Sequence, residues 1–268
     1  MSLRTRIPTA LILLVLVFLC IQFLSRLGFF LVLQILILIS LIEFYNLSRK
    51  RELFPQLTVG CLLAVIVSSS FLFKEISLGF ALFICLLFAG LYYIVTIKKL
   101  EKLNPFPASF AITFFGAIYL SLTLNHFYFL KEEKGAFYIY FLLAVIFLGD
   151  TGAYIFGKLW GRRKLLPIAS PRKTWEGSFG GILFACLGAF AAQQVLLKDI
   201  IFWKALLCGF FIHVIAQISD PLESLFKRAV GVKDSSRLLL DHGGFLDRID
   251  SLILATPFFY YYIKYFWK

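Results

Sequence analysis

The sequence predicts an all-α polytopic membrane protein with about nine transmembrane helices. Three observations predict it. Of 268 residues, 60% are hydrophobic and only 16% are charged, with a mean hydropathy of +0.88; a soluble domain carries about 25% charged residues. Apolar runs recur along the chain, each long enough to cross a bilayer as a helix. The alternation of a membrane barrel strand is absent, and a backbone in hydrocarbon must satisfy its own hydrogen bonds, which leaves the helix.

The expected spans run over residues 7–24, 29–47, 56–73, 76–97, 106–124, 136–156, 177–197, 200–219 and 249–266. The first follows Arg4 and Arg6, as a signal peptide would. It is too long for one and no small-residue cleavage site follows, so it reads as a retained span. The basic clusters fall after alternate spans: Arg49-Lys50-Arg51 after the second, Lys98-Lys99 after the fourth, Lys158 to Lys173 after the sixth, Lys227 to Arg248 after the eighth. With the N-terminus in the cytoplasm, 19 of the 27 Lys and Arg residues lie on that side. The positive-inside rule then gives N-in, C-out, which nine spans satisfy. Two regions follow: 1–135 with about five spans, and 136–268 with cytoplasmic loops 157–176 and 220–248, where any catalytic chemistry is expected.

This topology explains much of the net charge of +12, so nucleic acid is not expected as a partner. The five cysteines lie in apolar runs without CxxC or Cys/His spacing, which argues against zinc. The 32 Phe, 12 Tyr and 4 Trp read as lipid-facing bulk and interfacial belts.

Topology does not explain the acids, since Asp and Glu contribute little to orientation. Eight of 15 fall in or beside the two loops, six of them between Asp220 and Asp250. The first loop begins near Asp150, a carboxylate that by default faces a polar cavity, with a structural partner to a nearby Lys or Arg as the alternative. Ser170, Lys173 and Thr174 can offer hydrogen bonds or charge to phosphate oxygens, although no P-loop pattern is present. In the second loop Asp247 and Asp250 are three apart, on one face of a helix that starts near Gly243-Gly244, and Asp220 can fold back toward them. Three converging carboxylates repel unless a cation lies between them, and hard oxygen ligands suit Mg²⁺. Lys227, Arg228, Lys233 and Arg248 supply charge for anionic groups, and His242 reads first as a hydrogen-bonding residue.

The segment Ser224-Leu-Phe-Lys227-Arg228, then Lys233-Asp234, then His242-Gly243-Gly244-Phe-Leu-Asp247-Arg248-Ile-Asp250 resembles the signature of the phosphatidate cytidylyltransferase (CDP-diacylglycerol synthase) family. Ser170-Pro171 and Lys173-Thr174-Trp175-Glu176-Gly177 are similar to that family too. Leu240 stands where the family has Pro or Gly, and Ser219 where it has Gly. The resemblance implies conversion of CTP and phosphatidic acid into CDP-diacylglycerol and pyrophosphate, a divalent cation such as Mg²⁺ and possibly a second one, and a homodimer among membrane lipids. It also implies a multi-pass protein of a bacterial cytoplasmic (inner) membrane with its active site toward the cytoplasm.

On that resemblance Asp220, Asp247 and Asp250 hold the metal, and Asp220, Asp247 and Lys227 are the catalytic groups. Ser170, Lys173, Thr174, Lys227, Arg228, Lys233, His242 and Arg248 bind substrate, with Asp234 of lesser weight. Two rivals remain at this point. One is a CTP-dependent lipid kinase acting on a polyprenol, which would need a base. The other is a transporter of a cation or metabolite, which is disfavoured because the charges lie in loops and not along a midplane path.

Overall fold

A computed structural model describes residues 3–50, 53–73, 75–236, 238 and 243–267. Ten α-helices follow in order: α1 Leu3–Phe23, α2 Arg26–Arg49, α3 Leu57–Leu72, α4 Leu78–Thr96, α5 Phe106–Leu124, the single turn α6 His126–Phe129, α7 Ala136–Leu159, α8 Trp175–Leu196, α9 Phe202–Ala229 and α10 Leu246–Phe266. Strands β1 Lys164–Leu166 and β2 Ser170–Thr174 form an antiparallel hairpin between α7 and α8, pairing Lys164 with Thr174 and Leu166 with Ser170. Every apolar stretch expected to span is helical. Among the described residues six helices are long and apolar enough to cross a membrane, the α1 and α3 stretches are shorter, and the protein is a multi-pass helical membrane protein.

Helix starts follow local chemistry. Ser25 and Ser77 cap α2 and α4 by accepting the N–H of Gly28 and Phe80, and Pro107 stands in the first turn of α5. The structure departs from expectation at two places. Residues 164–174, read as plain loop, make the hairpin. The helix expected to stop at 219 continues as α9 to Ala229, so Asp220, Glu223, Lys227 and Arg228 are helical. The apolar run ends where the polar one begins, but the helix does not. Glu223 and Lys227 pair one turn apart, and Lys227 and Arg228 sit at the end that favours cations. Pro221 costs one backbone hydrogen bond without ending the helix.

The chain divides into two compact units. The first comprises residues 1–128 and 234–248, the second 129–233 and 249–268. In the first, α3 packs against α2, α4 and α5 around Ile37, Leu41, Phe44, Tyr45, Leu63 and Leu120, all essentially buried. Helix α4 buries only Ala81, Cys85, Ala89 and Tyr93, a stripe at fourfold spacing, and turns Phe80, Phe83, Leu87 and Ile94 outward. So much exposed apolar surface is what lipid contact requires. Buried polar groups are paired: Gln34 Nε2 donates to Asn125 Oδ1 at 2.9 Å, and Asn125 Nδ2 to Ser68 Oγ at 2.8 Å, linking α2, α5 and α3. The Tyr45 hydroxyl donates to the Thr113 carbonyl at 2.5 Å, and its ring passes so close to Gly60 that a Cβ there would lie 2.1 Å from the hydroxyl.

In the second unit α7 and α8 pack along small residues. Gly177, Gly181, Ala185, Gly188, Ala189 and Ala192 form the buried face of α8, and small interfaces let helix backbones approach in lipid. Gly180 lies against the Phe156 ring. Ser219 is fully buried; its hydroxyl donates to the Asp250 carbonyl and accepts the Leu254 N–H at 3.2 Å, so it ties α9 to α10. Phe141 stacks on Phe259 at 5.5 Å, and the Tyr260 hydroxyl donates to Glu133 at 2.8 Å.

Tyr45→Phe removes the buried hydrogen bond to the Thr113 carbonyl, which keeps its place in the α5 backbone ladder. It is expected to cost about 1–2 kcal/mol, read as a lower thermal-unfolding midpoint in detergent. An unchanged midpoint would show that the contact contributes nothing to stability.

Candidate active site

The polar residues of the second unit come from four elements. Lys173 on β2 pairs with Asp220 on α9, Nζ to Oδ2 2.5 Å, both side chains a little over a quarter exposed. Ser224, one turn further along α9, donates to Asp220 Oδ1 at 3.4 Å. Asp220 lies within electrostatic reach of Asp150 on α7 and of Asp250 on α10, and Lys173 reaches both of these as well. Asp250 Oδ1 accepts the Ser251 N–H at 2.6 Å. Lys227 also faces Asp250; it is buried and ion-paired with the equally buried Glu223. Three carboxylates thus share one neighbourhood, and their mutual repulsion is only partly offset by Lys173.

β2 is positioned by its flanks. Thr174, buried, caps α8 by accepting the Gly177 N–H at 3.1 Å. Glu176 accepts the N–H groups of Arg162 at 3.0 Å and Arg163 at 3.3 Å, and the Trp175 N–H donates to the Arg163 carbonyl at 3.0 Å, which closes the hairpin segment. Ser170, at the start of β2, is half-buried.

The described residues of segment 234–248 belong to the first unit, and two carboxylates hold them. Asp247 Oδ2 accepts from the Ser235 N–H at 2.9 Å, the Ser235 hydroxyl at 2.9 Å and the Gly244 N–H at 2.8 Å. Glu43 on α2 accepts the N–H groups of Phe245 at 3.0 Å and Leu246 at 2.7 Å and the hydroxyls of Ser235, at 3.2 Å, and Ser236. Gly243 has a φ of +78°, the left-handed region that favours glycine.

Of the residues singled out in the sequence, Asp220, Asp250 and Lys173 come together, with Asp150 beside them. Asp247 shares α10 with Asp250, three residues before it, and Arg248 is exposed. Arg228 donates to the Val232 carbonyl at 3.1 Å, just past the end of α9, and Lys233 and Asp234 are exposed. His242 and Leu240 lie outside the described residues. Among the described residues no three His, Cys, Asp or Glu side chains converge to hold a metal ion by themselves. The donor chemistry still fits Mg²⁺, which takes one or two carboxylates and completes its octahedron with phosphate oxygens and water.

Two residues were passed over in the sequence. Glu43 carried a signal, a lone carboxylate in an apolar run. His213 carried a weaker one of the same kind, an imidazole in an apolar run. Its ring is fully buried between Gly149 and Gly181, neither ring nitrogen has a hydrogen-bond partner among the described residues, and it lies within reach of the Lys173 charge. A cavity of about 760 Å³ also opens in the first unit beside Gln56, Tyr92, Thr96, Lys98, Glu101 and Ser109, but it holds none of the residues singled out above.

The sequence profile of the Cytidylyltransferase family matches residues 4–266. A phosphatidate cytidylyltransferase of Staphylococcus epidermidis is 40% identical over 162 residues, 60% of this chain and 61% of that protein. One of Bacillus subtilis is 40% identical over 153 residues, 56% of this chain and 57% of its own length. One of Haemophilus influenzae is 40% identical over 152 residues, 55% and 52%. The match therefore spans less than two thirds of the length of these relatives. The profile match covers nearly the whole chain, and the chain belongs to the Cytidylyltransferase family.

Proposed function

We propose that the protein transfers CMP from CTP to phosphatidic acid, giving CDP-diacylglycerol and pyrophosphate. The observation that carries this reading is the gathering of Asp150, Asp220 and Asp250 around Lys173, with Asp220 just before the signature-like segment and Asp250 at its end. In the reaction a phosphate oxygen of the lipid forms a bond to the α-phosphorus of CTP, and the bond from that phosphorus to the bridging oxygen of the β-phosphate breaks. The nucleophile needs no base, because the second pKa of a phosphomonoester is about 6. The barrier is the meeting of two polyanions, so the work is positioning and charge neutralisation.

The residues divide that work. Asp220 and Asp250 would hold Mg²⁺, and once bound the ion supplies positive charge to the phosphate oxygens. Lys173, held at the rim of the cluster by Asp220, presents its ammonium group to phosphate. Lys227 keeps Asp250 company from inside the fold, with Glu223 bracing it. Asp247, whose Oδ2 already accepts three hydrogen bonds, orders the signature loop so that Arg248 is displayed to substrate. Ser170 and Thr174 set the strand from which Lys173 projects. We also read the polar segments as lying at the cytoplasmic face of a bacterial inner membrane, from the excess of Lys and Arg there. A homodimer and the absence of nucleic acid from its partners belong to the same reading.

Purified protein given CTP, phosphatidic acid and Mg²⁺ is expected to release pyrophosphate and a CDP-lipid. CDP with a phosphorylated lipid alcohol, or no turnover, would overturn the reading. Removing divalent cations with EDTA should abolish turnover, and excess Mg²⁺ should restore it; turnover indifferent to EDTA would remove the metal. Asp220→Asn is expected to lower kcat by about 100-fold or more while the protein remains inserted and monodisperse. Near-normal kcat in that variant would take Asp220 out of the site.

A further inference from the structure

We infer that Glu43, in the amino-terminal part of the chain, is a positioning residue for the proposed cytidylyl transfer, holding the signature loop and the first turn of α10 in their working arrangement. The inference rests on the reading above and adds to it a residue outside the signature. Glu43 is 5% exposed and lies in α2, where an unpartnered carboxylate would be severely destabilising. Among the described residues its hydrogen-bond partners come from the signature segment, about 200 residues on. Oε1 accepts from the Ser236 hydroxyl and from the Phe245 N–H at 3.0 Å; Oε2 accepts from the Leu246 N–H at 2.7 Å and the Ser235 hydroxyl at 3.2 Å.

Two of those donors are backbone N–H groups at the start of α10, which no residue within the helix can satisfy. Glu43 is therefore a cap supplied from another helix, placed where the helix end favours negative charge. The Ser235 hydroxyl oxygen lies 3.2 Å from Glu43 Oε2 and 2.9 Å from Asp247 Oδ2, and its one proton, shared between them, couples the cap to the second carboxylate of the loop. Gly244 shows how tightly the loop wraps. A Cβ there would lie 1.9 Å from Ser235 Oγ and 2.7 and 2.9 Å from the two Glu43 oxygens. Releasing the cap would loosen Asp247 and Arg248 at the head of α10, and Asp250 follows one turn later on the same helix.

The test uses the full chain in detergent micelles. Glu43→Gln keeps the shape but loses the charge and turns an NH₂ group toward donors. Amide hydrogen exchange at Gly244, Phe245 and Leu246 is expected to speed up by about 10-fold. Per folded molecule, kcat should fall by about 100-fold, with KM for CTP within about threefold of wild type. Glu43→Asp, which restores charge on a shorter arm, should recover part of kcat. Ser236→Ala, which removes one donor, should lower kcat a few-fold and provides the test if Glu43→Gln does not fold.

Unchanged loop exchange in Glu43→Gln would overturn the clamp. Faster exchange with kcat per folded molecule within about twofold of wild type would make Glu43 a stabilising residue only and overturn its positioning role. Wild-type protein that forms no CDP-diacylglycerol would overturn the underlying reading and the positioning role with it, while the exchange data would still report separately on the clamp.

Discussion

In a chain made mostly of hydrocarbon, a polar group is costly unless its partner is built in with it. The structure follows this constraint from its smallest side chains upward. Ser40, Ser48, Thr113, Ser121 and Thr256 return their hydroxyls to the carbonyl one turn earlier on their own helix. Longer polar side chains find partners on other helices, and so decide which faces meet: Gln34 with Asn125, Tyr45 with Thr113, Ser219 with α10. Apolar packing alone would leave several rotations of these helices nearly equal, because lipid is as apolar as Leu. The few hydrogen bonds select among them.

Charged groups obey the same constraint but sort into two kinds. Glu176, Asp247 and Glu43 are met by backbone N–H groups of loops and helix starts, and each fixes the path of a polar segment. Asp150 and Asp250 each lie within electrostatic reach of Asp220 and of Lys173, with Lys227 also near Asp250. Full neutralisation by protein groups would make the first kind of cluster; the second keeps an excess of negative charge, and an excess of that sign attracts a divalent cation before it attracts a triphosphate. Most of the loop-shaping falls to other carboxylates: Glu176 ties the hairpin segment, and Asp247 and Glu43 tie the described part of the signature loop, while Asp220 holds Lys173 of β2.

The helices were legible because bilayer thickness sets a minimum apolar length, and each expected span from 7–24 to 249–266 overlaps a helix, six of which are long and apolar enough to cross among the described residues. What lay between them was less so. Residues 164–174 are short, basic and interrupted by Pro167 and Pro171, so no period marks them as strands. The end of α9 was misplaced because hydropathy reports where lipid stops and not where the helix does. In the site, residue type and spacing singled out Asp220, Asp250 and Lys173, but the Lys173–Asp220 pair joins segments nearly 50 residues apart, and nothing local announces such a pairing. Glu43 announced itself only as an anomaly in an apolar run.

Gly243 and Gly244 separate what a motif carries from what the fold adds to it. Gly243 is explained by its own backbone, at φ +78°, and any reading of the turn could demand it. Gly244 does not adopt a positive φ; it is glycine because the Glu43 carboxylate and the Ser235 hydroxyl occupy the space a side chain would need. Half of that requirement lies on α2, some 200 residues away. A substitution at Gly244 and one at Glu43 therefore act on one contact, and their effects on the loop should not add. The amino-terminal spans, generic in sequence, thereby become part of what shapes the signature.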